Sequence, residues 1–177
     1  MARDPLDIEN YSKWLHREET KEQGYYEKLL PVIGSATLAF AHLEWKLNQA
    51  FAEVVNQRNL EIGLCIADRL NYSQTVDLFE TVSREIVKAF RAEIQAELVK
   101  LITALRDAGR LRNEVAHCSF SYVFGSDGHF LKRPSRIKAK KKDRHSPIVS
   151  PFRALEAAIA TVCEAEDLLD DFVSEYL

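Results

Sequence analysis

The chain has 177 residues, 46% of them hydrophobic and 29% charged, and its 24 basic and 27 acidic side chains leave a net charge of −3. These values fit one ordinary globular domain with a well-buried core and fall short of two. The opening MARDPLDIENYSKWLHREET lacks the apolar block of a signal peptide, and His42, Glu44 and Lys46 interrupt the best candidate for a membrane span. Cys65, Cys118 and Cys163 lie far apart without a CxxC pair, which suggests neither a disulfide framework nor a zinc site and points to a reducing cytoplasm.

Apolar residues recur almost everywhere at helical rather than strand period, so the expected class is all-α. Residues 1–30 read as a polar N-terminal extension with one short surface helix around Tyr11 to Glu19; the helical domain is expected over 31–177. Pro31 starts its first helix, in which Ile33, Ala36, Phe40, Leu43, Leu47, Phe51 and Val54 keep to one stripe. LEIGLCIADRL, residues 60–70, is ambiguous, because Gly63 weakens a short helix without forbidding it. In residues 71–90 Val76, Phe79, Val82, Ile86 and Val87 are spaced for one face, and in 92–117 Ile94, Leu98, Leu101, Ile102, Leu105 and Val115 point inward. The period then shortens: Phe120, Tyr122 and Phe124 alternate, and GSDG supplies a tight turn before His129, Phe130 and Leu131. KRPSRIKAKKKDRHSP reads as an exposed loop, and Ser150 with Pro151 caps a last helix with apolar positions Leu155, Ile159, Val162, Leu169, Val173 and Tyr176. The sum is an antiparallel four- to five-helix up-and-down bundle with a small β-hairpin excursion before the last helix.

Two charged residues fall where such a bundle should be apolar. Counting from Leu101, with the helix continuing past Gly109, Arg112 comes at ~20° on the wheel, in the middle of the inward face. Glu44 lies in the stripe of Phe40, Leu47 and Phe51, so the two are expected to meet inside or at the mouth of the bundle. Asn113 and His117, four residues apart, share a face nearer the rim. A histidine in the last turn of its helix has its imidazolium favoured by the macrodipole, which suits a general acid or base.

The segment Arg112-Asn113-Glu114-Val115-Ala116-His117 resembles the RNxxxH form of the Rx4-6H motif of the HEPN superfamily (higher eukaryotes and prokaryotes nucleotide-binding domains). The similarity extends over 31–177: a helix containing FAHLEWKLNQAF, a motif helix ending at the histidine, a variable segment and a long closing helix. It departs at Cys118, where many members have glycine. The resemblance implies a metal-independent, cofactor-free endoribonuclease, a toxin or antiviral defence effector that acts as a homodimer with both motifs in one cleft and answers to an antitoxin or regulatory protein. His117 would then move the proton of a ribose 2′-OH or of the leaving oxygen, Arg112 would stabilise the phosphorane and Asn113 would orient the pair, leaving a 2′,3′-cyclic phosphate and a 5′-OH. Glu44, read from the residues alone, would support Arg112.

RNA is also suggested by residues 132–144, where Lys132, Arg133, Arg136, Lys138, Lys140, Lys141, Lys142 and Arg144 face only Asp143. That is +7, so the remainder of the chain carries −10. Tyr122, Phe124 and Phe130 just before it offer stacking surfaces. The quieter readings are an ion pair that fixes helix register, a histidine that merely caps a helix, and a solvated basic loop; together they describe a catalytically silent helical module binding RNA, nucleotide or a protein partner. Glu114 and His117 spell ExxH, but no other histidine has a glutamate three residues before it, so no metal is expected. His16, His42, His129 and His145 show no companions, and Glu164, Glu166, Asp167, Asp170 and Asp171 read as a solvated acidic face. Leu38, Ala41, Trp45 and Ala52 form a second apolar line on the Phe40 helix, expected to be a self-association face or one covered by the leader with Trp14.

Overall fold

A computed structural model describes residues 8–56, 58–88, 90, 92–116, 119–121, 129–131 and 151–177. The fold is all-α in class, with helices α1 (Ile8–Val55), α2 (Leu60–Ala67), α3 (Tyr72–Val87), α4 (Ala92–Ala116) and α5 (Pro151–Tyr176). Between α4 and α5, the three-residue strands β1 (Ser119–Ser121) and β2 (His129–Leu131) pair antiparallel with Phe120 opposite Phe130. The expected GSDG turn, Ser150 and the basic stretch 132–144 lie outside the described residues. No helix among the described residues is long and apolar enough to cross a membrane.

The helix expected to begin at Pro31 begins much earlier. α1 is one 48-residue helix with Pro31 inside it, so residues 8–30 continue into the core helix instead of forming a separate short one. Proline removes one helical hydrogen bond. Here it stands on an exposed turn, where the freed carbonyl is open to solvent. The upstream part is tied in by Tyr25 and Leu29, both buried, and Tyr25 packs edge-on against Phe152 of α5 at 5.9 Å between ring centroids.

The core is the set of inward stripes that helical period demands: Ala36, Phe40, Leu43, Leu47 and Phe51 of α1 meet Leu98, Leu101, Ile102 and Leu105 of α4 and Leu155, Val162 and Leu169 of α5. On α3 the stripe is rotated from the expected one. Tyr72, Thr75, Val76, Phe79, Ser83 and Val87 are buried, whereas Ile86 is exposed. Thr75 and Ser83 occupy inward positions that a count of apolar residues passes over. The start of α3 is set by a capping box, in which the Asn71 side chain accepts from the Gln74 N–H and the Gln74 side chain accepts from the Asn71 N–H. α2 forms despite Gly63, and the glycine is the reason it can dock. A Cβ there would stand 2.5 Å from the Ala52 carbonyl oxygen, so only glycine lets α2 lie this close to α1. Ala52, expected on an open apolar line, is consequently buried.

α1 and α5 lie side by side in the same direction, since Tyr25 meets Phe152, His42 meets Glu166 and Lys46 meets both Glu166 and Asp170. His42 therefore has companions: its Nδ1 is 3.1 Å from Glu166 Oε2, and its ring stacks on Trp45 at 5.8 Å. Two residues of the supposedly solvated acidic face are thus engaged. Burial pushes the Glu166 carboxyl upward, but hydrogen bonds and charge from Lys46 and His42 outweigh it and hold the group below the usual carboxylate range. A carboxyl held low in the folded state adds stability above its unfolded pKa and loses it as pH falls through the lowered value. Glu166→Gln should therefore cost about 1 kcal/mol at pH 7 and nothing once the wild-type Glu166 carboxyl is protonated in the folded and the unfolded chain, as read from urea unfolding at neutral pH and at about pH 2.

Candidate functional site

The site begins with the last turns of α4. Leu101, Leu105 and Ala108 are buried, and Arg112 continues their line into the turn where the core thins out. The helix does run on past Gly109, to Ala116. Arg112 Nη2 donates to Glu44 Oε2 of α1 at 3.2 Å, so these two groups meet. They do so at the mouth, not in the interior: the side chains are 43% and 31% exposed. Among the described residues this is the hydrogen bond Arg112 makes, and it leaves Nε and Nη1 free to donate elsewhere.

Arg112 and exposed Asn113 stand on the wall between two open cavities. One, of about 400 Å³, lies between α1 and α4 and is lined by Thr37, Phe40, Ala41, Glu44, Val115 and Ala116 together with the two motif residues. The other, of about 340 Å³, lies between the first turn of α3 and α4; besides the motif pair it is lined by Asn71, Tyr72, Ser73, Val76, Arg106, Gly109 and Arg110. Sequence reasoning did not reach this second cavity. Its signal was present in part, because Arg106, Arg110 and Asn113 recur at helical spacing on one face of α4.

Tyr72 joins the two halves. Its buried hydroxyl donates to the Leu105 carbonyl at 2.9 Å, a bond from α3 to the α4 backbone. Burial above all, and then the charge of Glu44, push the phenol well above its ordinary range, while Arg112 pulls it the other way. Tyrosine, glutamate and arginine are thus close enough to feel one another. The ring passes over Gly109, where a Cβ would stand 2.8 Å from Tyr72 Cε1.

His117 and Lys132, Arg133, Arg136, Lys138, Lys140, Lys141, Lys142 and Arg144 lie outside the described residues. No cluster of histidine, cysteine and carboxylate side chains able to hold a metal occurs among the described residues. On the second line of α1, Leu38 and Trp45 are 72% and 56% exposed and Ala41 is exposed beside them. No family model matches the chain, and no curated protein and no solved structure is similar enough to count as a match.

Gly109→Ala tests how far the site depends on close approach. Alanine is the better helix former by about 1 kcal/mol, but the buried, hydrogen-bonded Tyr72 ring must give way. Such overpacking costs roughly 1 to 3 kcal/mol. Thermal unfolding should show a net loss of stability; a net gain would mean that the ring yields freely.

Proposed function

We propose that the chain is a HEPN-like endoribonuclease acting without a metal. The observation that carries the reading is that Arg112, anchored by Glu44 and flanked by Asn113, stands on a solvent-open wall between two cavities with donors to spare. A guanidinium so placed suits the charge that develops on a phosphorane. His117, next in sequence after Ala116 of the α1/α4 cavity, is the general acid or base, and the 2′-OH is the nucleophile. The basic residues 132–144 add sequence-independent attraction to the phosphate backbone. Within this reading the protein works in the cytoplasm as a toxin or defence effector under an antitoxin or regulator, and keeps an up-and-down bundle with a hairpin before its last helix, α5 running parallel to α1.

The exposed ridge of Leu38, Ala41 and Trp45 supports a homodimer whose partner completes the cleft, because Ala41 belongs both to the ridge and to the α1/α4 cavity. The silent binding module is favoured by one observation, that Arg112 already has a carboxylate partner.

Purified protein incubated with total RNA in EDTA should cut it, and His117→Ala and Arg112→Ala should each lose about 100-fold or more. Cutting that persists unchanged in both variants signals a contaminating nuclease and removes the enzyme reading. Replacing Leu38 and Trp45 together by glutamate should give monomers by sedimentation, with unchanged helical circular dichroism and no cleavage. Full activity from such monomers would rule out the shared cleft.

A further inference from the structure

The α3/α4 cavity sorts its charges in an uncommon way. Three arginines line it, Arg106, Arg110 and Arg112, and no carboxylate residue is among its described lining residues. The carboxylates that balance them lie outside the cavity. Arg106 Nη2 reaches Asp77 and Glu80 at 2.9 and 2.6 Å, Arg110 Nη2 reaches Asp107 at 3.2 Å, and Arg112 Nη2 reaches Glu44. Each cation therefore hydrogen-bonds its tether through one terminal nitrogen. Arg110 Nη1 has a looser approach to Glu114 at 3.7 Å. What remains of each planar fork can serve a ligand, and a fork of N–H donors matches the oxygens of a phosphate. The rest of the wall is polar, with Asn71, Ser73 and Asn113, and the volume of about 340 Å³ lies in the range of ligand sites.

We infer that this cavity is a second phosphate subsite, holding the backbone phosphate next to the scissile one when an RNA strand lies across Arg112 and Asn113. The identity of the strand rests on the ribonuclease reading; the anion preference rests on the lining alone. Arg112 and Asn113 belong to both cavities, so one strand can engage both lobes without leaving the protein surface. Contacts of this kind hold the strand in register and carry no base preference.

The probe is a fluorescent ten-nucleotide 2′-O-methyl RNA, which lacks the free 2′-OH needed for cleavage, titrated with the full-length chain. Two variants separate binding from folding. Ser73→Asp places a carboxylate in the wall at the first turn of α3, where a negative charge favours the helix, so unfolding temperature should hold or rise while affinity falls. Arg110→Gln removes one cation whose described ion pairs lie within its own helix. Each variant should bind about tenfold more weakly, equally for oligonucleotides of different sequence, with the salt dependence lowered by about one counterion. Wild-type affinity in both variants, or no binding by the wild type, overturns the subsite. So does adenosine monophosphate displacing the strand at equal concentration, since a free phosphate would then satisfy the cavity as well as a chain does. Cleavage is scored separately: a protein that binds as described yet never cuts supports the subsite and sinks only the catalytic reading, whereas wild-type cutting kinetics in Ser73→Asp sink the subsite and leave catalysis standing.

Discussion

The contact between Glu44 and Arg112 is the one on which the site depends, and its magnitude shows what it is for. A partly exposed pair joined by one 3.2 Å hydrogen bond contributes on the order of 1 kcal/mol or less, because water solvates both groups when they separate. Any of the buried leucines of α1 contributes more. The pair does not hold the bundle together. It settles where a long, flexible cation rests, committing one end of its fork to α1 and leaving the other nitrogens over the cavities. A deeply buried pair would have locked register more firmly at a larger desolvation cost, and its donors would have been closed to any ligand.

That placement is in turn a product of backbone approach. Among the described residues, Gly109 and Gly63 mark the points where a neighbouring helix or its side chain comes closer than a Cβ allows. At Gly63 the result is architectural, because α2 covers Ala52 and buries that part of α1. At Gly109 it is functional. The Tyr72 ring settles over the α4 backbone, its hydroxyl bonds to Leu105, and the first turn of α3 is delivered beside Arg106, Arg110 and Asn113. A Cβ at 109 would stand 2.8 Å from the Tyr72 ring and oppose that placement.

How much of this was legible in the sequence follows from which interactions are local. The stripes of α1, α4 and α5 were readable because a bundle core repeats at the helix's own period. Glu44 and Arg112 were readable as the exceptions to those stripes. The upstream half of α1 was not, since Tyr25 and Leu29 make too sparse a stripe and Pro31 is a strong local stop signal that an exposed turn tolerates. The α3 stripe was displaced because Thr75 and Ser83 hold inward positions. The α3/α4 cavity was hidden for a different reason: Arg106 and Arg110 read as ordinary surface charges until tertiary packing sets the start of α3 opposite them. The carboxylate companion of His42 stayed hidden too, because Glu166 sits on α5, more than a hundred residues along the chain.

The charge distribution bears on why the cations are gathered so tightly. A chain with a net charge of −3 offers a polyanion no general attraction, so any affinity for phosphate must come from a local surplus or from donors placed by geometry. Residues 132–144 hold +7 of that surplus in one stretch of sequence. In the folded helices Arg106, Arg110 and Arg112 hold no surplus, being paired with Asp77, Glu80, Asp107 and Glu44, but they line a cavity whose described lining has no carboxylate and each keeps N–H donors beyond its pair. An arrangement of this kind acts at short range, where a phosphate can meet the donors, and its field is weak a Debye length away. Such a field does little to recruit a strand from solution, but it can discriminate between positions of a strand already in contact. Recruitment by the basic stretch and positioning by the α4 arginines are therefore different physical tasks, and each requires its own arrangement of charge.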